Sequence, residues 1–253
     1  MRPADYLSSY AEHFPAVEVD STFYACPSVQ TVQNWAARTP EGFTFAVKIP
    51  QAISHERVLV GCDAELADFL RTMDVLGPKL GPIVFQFPFF NKSAFRDRHE
   101  FLDRLLPFLV KLPNSYRFAI EIRNRNWLDA EFASLLRERS IALVLQDRSW
   151  MPNPSELKFD PITAGWTYIR WLGDRKAIEQ QTMTWDKTIV DRSAELSSWV
   201  DFQQWTRTCD RRIHSGHTRS GRHPCWVLPR SEPNLRSPSP QRLCPCVAAP
   251  GVR

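Results

Sequence analysis

No part of this 253-residue sequence is a candidate membrane span, because it contains no run of about 18 apolar residues. The first residues, Met1-Arg2-Pro3-Ala4-Asp5, lack the apolar core of a secretory signal. No glycine-rich phosphate loop follows any predicted strand, which excludes the usual nucleotide-binding open sheets. We therefore expect a cytoplasmic protein with no membrane partner.

The six cysteines do not indicate disulfides or a zinc site. Cys26 and Cys62 are isolated, and the other four lie after residue 203. Neither group has the paired spacing of a zinc site or of a secreted disulfide framework. A reducing compartment is the simplest interpretation, and the sequence leaves any metal or cofactor open.

Lysine is absent from residues 203–253, which hold nine arginines, two acidic residues and seven prolines. This segment has a net charge of +7, whereas residues 1–202 have 23 basic and 26 acidic side chains and a net charge of −3. The basic character of the chain therefore comes from the tail, which weakens any inference of nucleic-acid binding from charge alone. The tail has no apolar periodicity, so we expect a folded domain at 1–202 and a disordered tail at 203–253.

Six segments are predicted to be buried parallel strands, and each has a charged or amide side chain at or near its carboxyl end. They are residues 17–20, 43–48, 83–86, 118–123, 141–147 and 167–170. Segments with helical periodicity alternate with them, at residues 3–13, 28–38, 63–73, 98–111, 129–137 and 190–205. Asp63 and Asp129 are placed to cap two of these helices. The alternation predicts right-handed crossover units and a parallel sheet.

The alternation of side chains within the strands favours a barrel over an open sheet. Ala46 and Lys48 alternate with the bulky Phe45 and Val47, as expected for an interior face and a helix-covered exterior. We therefore predict a TIM-type barrel of alternating strands and helices. In such a barrel the functional site lies at the carboxyl ends of the strands.

Glu121 and Arg123 form the strongest candidate pair. They lie two residues apart, so a strand places both on one face. A buried carboxylate beside a guanidinium stays ionised and oriented. The functional interpretation is a catalytic Glu121 and a substrate-binding Arg123, and the alternative is a structural ion pair inside the barrel.

Glu18 and Asp20 repeat this spacing on an earlier strand. Two inward carboxylates suit acid–base chemistry or hard metal ions, and the alternative is an ion pair with Lys48. Lys48 is itself a candidate for binding an anion. His55 lies seven residues further on and is a candidate for proton transfer or for a simple hydrogen bond.

Three further side chains extend the candidate site. Gln86 is an amide in an aromatic strand and must find a partner, either a ligand or a neighbouring side chain. Tyr168 and Arg170 share one face of their strand and suit an anionic or sugar-like ligand. On the preceding strand, strict alternation points Gln146 inward rather than Asp147.

Several motifs in the same order resemble the family called domain of unknown function 72, or YecE-like. The motifs are Val17–Tyr24, Trp35, Phe43-x-Phe45-x-x-Lys48, Ser54-His55, Gln86-Phe87-Pro88, Glu121-x-Arg123-x-x-x-Trp127 and Tyr168-x-Arg170-x-x-Gly173. The resemblance covers roughly residues 5–202 and implies a TIM-type barrel whose biochemical activity is not established.

The resemblance also implies that two strands are missing. Family members usually begin with a strand of the type Ile-Gly-x-Ser-Gly-Trp and end with a strand leading into Asn-Asn-His, where residues 211–219 here read Arg-Arg-Ile-His-Ser-Gly-His-Thr-Arg. We expect an incomplete barrel with about six of eight strands and open edges. We hypothesise that translation leaves the family's reading frame near residues 203–210.

The leading functional hypothesis is a hydrolase or lyase acting on a small anionic or sugar-like substrate. Its catalytic residues would be Glu18, Glu121 and His55, and its substrate-binding residues would be Lys48, Gln86, Arg123, Tyr168 and Arg170. One alternative is a metal-dependent phosphodiester hydrolase acting on nucleic acid. The others are a non-catalytic metabolite-binding barrel and an inactive truncated gene product.

Overall fold

Parallel strands that follow one another in chain order form the sheet. The structure is a computed structural model that describes residues 5–171, 175–183, 189–193, 197, 199 and 225–227. Its strands are β1 (Ala16–Val19), β2 (Thr44–Lys48), β3 (Leu80–Gln86), β4 (Phe118–Glu121), β5 (Ala142–Asp147), β6 (Thr167–Trp171) and β7 (Cys225–Val227). Each strand pairs in parallel with the next, and β1 to β6 form a curled half-barrel with helices between them. The predicted incomplete α/β barrel is confirmed.

Helices precede β1 and lie between the strands, and most of them cover the outer side of the sheet in the described part of the chain. They are α1 (Tyr6–His13), α2 (Ser21–Tyr24), α3 (Val29–Ala37), α4 (Asp63–Met73), α5 (Arg98–Lys111), α6 (Ala130–Arg137) and α7 (Arg175–Glu179). Short π or 3-10 turns lie at Ala52–Glu56, Asp74–Lys79, Arg125–Trp127 and Pro154–Glu156. The first five predicted helices correspond to α1, α3, α4, α5 and α6, and the predicted helix at 190–205 lies largely outside the described residues. Among the described residues no helix combines the length and apolar character needed to cross a membrane.

Side-chain caps start several of these helices. The carboxylate of Asp129 accepts a hydrogen bond from the amide of Phe132 at 2.9 Å, which confirms its predicted capping role. Asp63 does not cap α4, because it lies inside the first turn of the helix. Its carboxylate instead accepts from Lys111 at 2.9 Å. An acidic side chain in a first turn still interacts favourably with the helix dipole.

The two faces of the sheet differ in side-chain size, as the alternation predicts. The cluster on the inner face consists mainly of small side chains, and Trp166 and Tyr168 are its two large members. The small members are Ala16, Ala46, Val84, Ala119, Ala142 and Val144. The outer face contributes Phe45, Val47, Phe85, Ile120, Leu143 and Ile169 to the large core beneath the helices. Small residues on the concave side leave room for the longer polar side chains near the carboxyl ends of the strands.

Strand β7 corrects part of the sequence prediction. The segment 203–253 was expected to contain no regular strand, yet residues 225–227 pair in parallel with Thr167–Ile169 of β6. The backbone edge of β6 offers unpaired hydrogen-bonding groups, and the short run Cys-Trp-Val suits a strand. The remainder of the predicted tail lies outside the described residues, so its boundary at residue 203 stays a prediction.

Candidate functional site

Each of the strands β1 to β6 places one buried polar side chain on the inner face near its carboxyl end. We call this set the polar layer, and its members are Glu18, Lys48, Gln86, Glu121, Gln146 and Arg170. The strand register brings Gln86 beside Glu121 and Gln146 beside Arg170. The structure therefore gathers the predicted strand-end residues into one layer.

Arg170, on β6, is bonded to polar-layer side chains of three other strands, β1, β3 and β4. Its guanidinium donates to Glu18 Oε1 at 2.7 Å and to Gln86 Oε1 at 2.9 Å, and it also pairs with Glu121. A guanidinium is suited to this position because its planar fork can satisfy several acceptors at once. Arg170 and Gln86 thus bond other protein groups, as the structural alternative for Gln86 predicts.

Glu18 is held as a carboxylate by its neighbours. The Tyr168 hydroxyl donates to it at 2.5 Å, and Lys48 Nζ lies 3.2 Å from it. Burial alone would raise the pKa of Glu18, but Arg170, Lys48 and the Tyr168 hydrogen bond together lower it. Burial and the charge of Glu18 raise the pKa of Tyr168 well above its usual value, so this hydroxyl stays protonated.

Glu121 is also a fixed anion. Its side chain is fully buried, and Arg123 Nε donates to it at 3.1 Å. Burial raises the pKa of Glu121, but Arg170 and Arg123 outweigh burial and lower the pKa to about 2. A carboxylate with such a pKa carries no proton at neutral pH. The geometry therefore favours an orienting role for Glu121 over the role of proton donor.

Lys48 is bonded to carboxylates on β1 and just beyond it. Its ammonium contacts both Glu18 and Asp20. The ion-pair alternative predicted for Lys48 is therefore the arrangement seen in the structure. Because the ammonium is paired, Lys48 is less suited than Arg123 to capture an anion.

Arg123 lies at the open side of the polar layer. Its side chain is 24% exposed and pairs with Glu121 through Nε only. Among the described residues, its two terminal nitrogens have no hydrogen-bond partner. These two nitrogens match the oxygen spacing of a carboxylate or phosphate group.

His55 lies in the π-helical turn after β2 and is half-buried. Its Nδ1 lies 2.9 Å from Ser54 Oγ, and its ring packs edge-on against Phe23. Burial and the nearby positive charge of Arg123 lower the pKa of His55 to about 4, although Glu121 opposes this effect. The imidazole is therefore neutral at neutral pH and lies within the electrostatic reach of Arg123.

Gln146 is the polar-layer residue to which the sequence alone assigns no catalytic or substrate-binding role. Its Nε2 donates to the carbonyl oxygen of Ile122 at 2.7 Å, which fixes the orientation of the amide because a carbonyl only accepts. Its Oε1 is buried and has no partner among the described residues. Its inward direction is the one that the alternation along β5 predicts. Asp147, in contrast, points away and pairs with Arg192 at 2.5 Å.

No described group of three His, Cys, Asp or Glu side chains has an arrangement that would hold a metal ion. The oxygens of Glu18 and Glu121 are instead bonded to cationic or hydroxyl donors. The described carboxylates thus give no support to the alternative of a metal-dependent hydrolase.

A groove of about 640 Å³ lies at the opposite ends of the strands. Its walls come from the segments that lead into β4 and β5, and they include Leu109, Tyr116, Phe118, Glu138 and Ile141. Barrel sites are built at the carboxyl ends of the strands, so this groove is not part of the candidate site.

Comparison with solved structures supports the fold. A DUF72 family protein from Thermotoga maritima superposes with a TM-score of 0.61 at 22% identity, over 90% of this chain and 83% of that one. A DUF72 family protein from Enterococcus faecalis gives a TM-score of 0.58 at 21% identity, over 90% and 88% of the two chains. At these identities the likeness shows a common fold and no common activity.

Sequence comparison shows the family. UPF0759 protein YecE of Escherichia coli is 36% identical over 118 residues, which are 47% of this chain and 41% of the relative. UPF0759 protein YunF of Bacillus subtilis is 32% identical over 132 residues, which are 50% of this chain and 45% of the relative. The matched part thus spans less than half of each curated relative. The family model described as "Protein of unknown function DUF72" matches residues 1–228, and the chain therefore belongs to the DUF72 family.

Proposed function

We propose that the open side of the polar layer binds a small anionic or sugar-like molecule and that His55 transfers a proton in a hydrolase or lyase reaction. The observation that carries this proposal is Arg123. Its side chain is partly exposed and its Nε is held by Glu121, while neither terminal nitrogen has a partner among the described residues. An oriented guanidinium binds an anion with less loss of side-chain freedom than a mobile one.

The proton-transfer role falls to His55 because the carboxylates are poor proton donors. Glu18 and Glu121 both have lowered pKa values and are ionised at neutral pH. His55 is neutral and can accept a proton from a substrate or from water. An anion bound to Arg123 would offset the positive charge that lowers the pKa of His55. Substrate binding would therefore make His55 a stronger base.

The binding step is tested by calorimetry with D-ribose 5-phosphate and D-galacturonate. We expect Arg123→Gln to abolish binding and Arg123→Lys to weaken it about tenfold, because lysine keeps the charge and loses the fork. Arg125→Gln is the matched control. Arg125 is an exposed arginine whose ion pair with Glu156 is loose, at 3.6 Å. Equal affinities for the wild type and Arg123→Gln would remove the proposal.

A non-catalytic binding barrel is the second candidate. The observation that favours it is the complete pairing of Glu18 and Glu121 with protein cations, which leaves neither carboxylate free for chemistry. The two candidates differ at His55. If His55→Ala leaves ligand affinity unchanged and abolishes turnover, the catalytic proposal stands; binding without turnover by the wild type favours the second candidate.

A further inference from the structure

Three segments that follow the carboxyl ends of strands carry exposed aromatic side chains. Tyr24 follows β1 and is 72% exposed, Phe89 follows β3 and is 64% exposed, and Trp150 follows β5 and is 49% exposed. We call these three residues the aromatic rim. Large exposed aromatic side chains gathered around a polar site commonly mark a ligand-binding surface.

Tyr24 is connected to the site through one intervening ring. Its ring packs edge-on against Phe23 at 5.3 Å between centroids, and Phe23 packs edge-on against His55 at 4.8 Å. Tyr24 therefore lies next to the phenylalanine ring that packs on His55, the proposed proton-transfer residue.

Phe89 is connected to the site through hydrogen bonds between the backbone of the next residue and a side chain beside Arg123. The amide of its neighbour Phe90 donates to Asn124 Oδ1 at 2.9 Å, and Asn124 Nδ2 donates to the carbonyl oxygen of Phe90 at 2.8 Å. Asn124 directly follows Arg123 in the chain. These two bonds hold the loop that carries Phe89 against the segment that carries the proposed anion-binding guanidinium.

Trp150 is connected to the site through Arg148. The Arg148 guanidinium lies over the Trp150 ring, 5.0 Å from its centroid. The charge of Arg148 also contributes to the lowered pKa of Glu121, which places this arginine within electrostatic reach of the polar layer. All three members of the aromatic rim are thus linked to residues of the proposed site.

The charges of the site favour a carbohydrate over a nucleic acid. Three carboxylates (Glu18, Asp20 and Glu121) face four cations (Lys48, Arg123, Arg148 and Arg170), so the site has an excess of one positive charge. Single-stranded nucleic acid needs a strongly basic groove beside its stacking rings, whereas residues 1–202 have a net charge of −3. A sugar ring instead combines an apolar C–H face, which packs on aromatic rings, with hydroxyl groups that need balanced donors and acceptors.

Gln146 gives an independent indication of a hydroxyl-bearing ligand. Its Oε1 is a buried acceptor without a described partner. Such an atom lowers the stability of the fold unless a ligand or a water molecule donates a hydrogen bond to it. The same amide donates to Ile122, the residue before Arg123. A ligand whose anionic group lies on Arg123 would therefore have a neighbouring hydroxyl close to this acceptor.

We infer that the ligand is an oligosaccharide with a single acidic ring, whose carboxylate binds Arg123, whose hydroxyl donates to Gln146 and whose further, neutral rings pack on Tyr24, Phe89 and Trp150. This inference rests on the proposed anion site and adds its substrate class. It requires that a uronate followed by neutral rings binds more tightly than the uronate alone.

The test uses calorimetry to compare D-galacturonate with a trimer in which one galacturonate ring is followed by two neutral sugar rings. We expect the trimer to bind at least about tenfold more tightly, and Trp150→Ala, Tyr24→Ala and Phe89→Ala each to weaken the trimer by about three- to tenfold while the monomer is unaffected. Val110→Ala removes an equally exposed apolar side chain at the other end of the sheet and should change neither affinity. Gln146→Met should weaken the monomer and the trimer by the same factor.

The possible results separate the inference from the proposed function. If the monomer binds through Arg123 but the trimer is no tighter and the rim variants have no effect, the oligosaccharide is wrong and the anion site stands. If the wild type binds neither sugar, both are wrong. Binding of a labelled oligothymidylate that is weakened by the rim variants and by salt would replace the carbohydrate with a single-stranded nucleic acid.

Discussion

Replacing Glu121 with glutamine should remove much of the pH dependence of folding stability below pH 5. The pKa of Glu121 falls from 4.5 to about 2 in the folded chain, because Arg170 and Arg123 outweigh the effect of burial. Each pH unit between the two values corresponds to about 1.4 kcal/mol, so the carboxylate stabilises the folded chain by about 3 kcal/mol relative to a group with an ordinary pKa.

The direction of this effect follows from the lower folded-state pKa. The contribution is fully present above about pH 5 and is lost as the pH falls through the folded value of about 2. Urea denaturation followed by circular dichroism, at intervals from pH 7 to pH 2, measures it. The wild type should lose about 3 kcal/mol more than Glu121→Gln across this range.

A surface glutamate provides the matched control. Glu65 pairs with Arg57 at 2.7 Å, but both side chains are more than 40% exposed. Glu65→Gln should change stability by less than about 1 kcal/mol at any pH, because solvent screens the pair. If Glu121→Gln keeps the full acid sensitivity of the wild type, the ion pairs of Glu121 do not hold it as an anion and the reasoning fails.

Three further predictions concern other parts of the chain. In an NMR titration, His55 should have a pKa near 4 in the wild type and a higher one in Arg123→Gln; equal values would show that Arg123 does not act on His55. Asp129→Ala should lower the free energy of unfolding by about 1 kcal/mol through loss of the α6 cap, and no change in urea denaturation would contradict this. Gly81→Ala should destabilise the chain by about 1–3 kcal/mol, because its Cβ would overlap the Thr44 methyl group. Adding Thr44→Ser should restore part of this loss in thermal melts; no rescue would place the strain elsewhere.

Much of the fold follows from periodicity in the sequence. Phe45 and Val47 on one face, with Ala46 and Lys48 on the other, were enough to predict an interior and a helix-covered exterior for β2. The same alternation pointed Gln146 inward on β5. Strand β7 was missed because three residues are too short for periodicity to be recognised.

The sequence predicts the individual members of the candidate site but not how they pair with one another. The sequence identifies Glu18, Lys48, Glu121 and Arg170 as strand-end polar residues, but their partners depend on the register of distant strands. Whether Lys48 is paired or free is decided by its distance to Glu18 in the folded chain. The exposure of a rim residue such as Trp150 likewise depends on how its loop packs, which local sequence does not specify.

The bond between Arg170 and Glu18 also limits the order in which parts of the chain can fold during synthesis. The two residues are 152 positions apart, and the Tyr168 hydroxyl that bonds Glu18 is 150 positions away. During synthesis, about 170 residues must be made before Arg170 and Tyr168 can bond Glu18, and until then Lys48 is the only cation of the polar layer that can pair with it. The bonds on the concave side of the sheet are therefore completed only after β6 has been made, and contacts over such a separation form slowly.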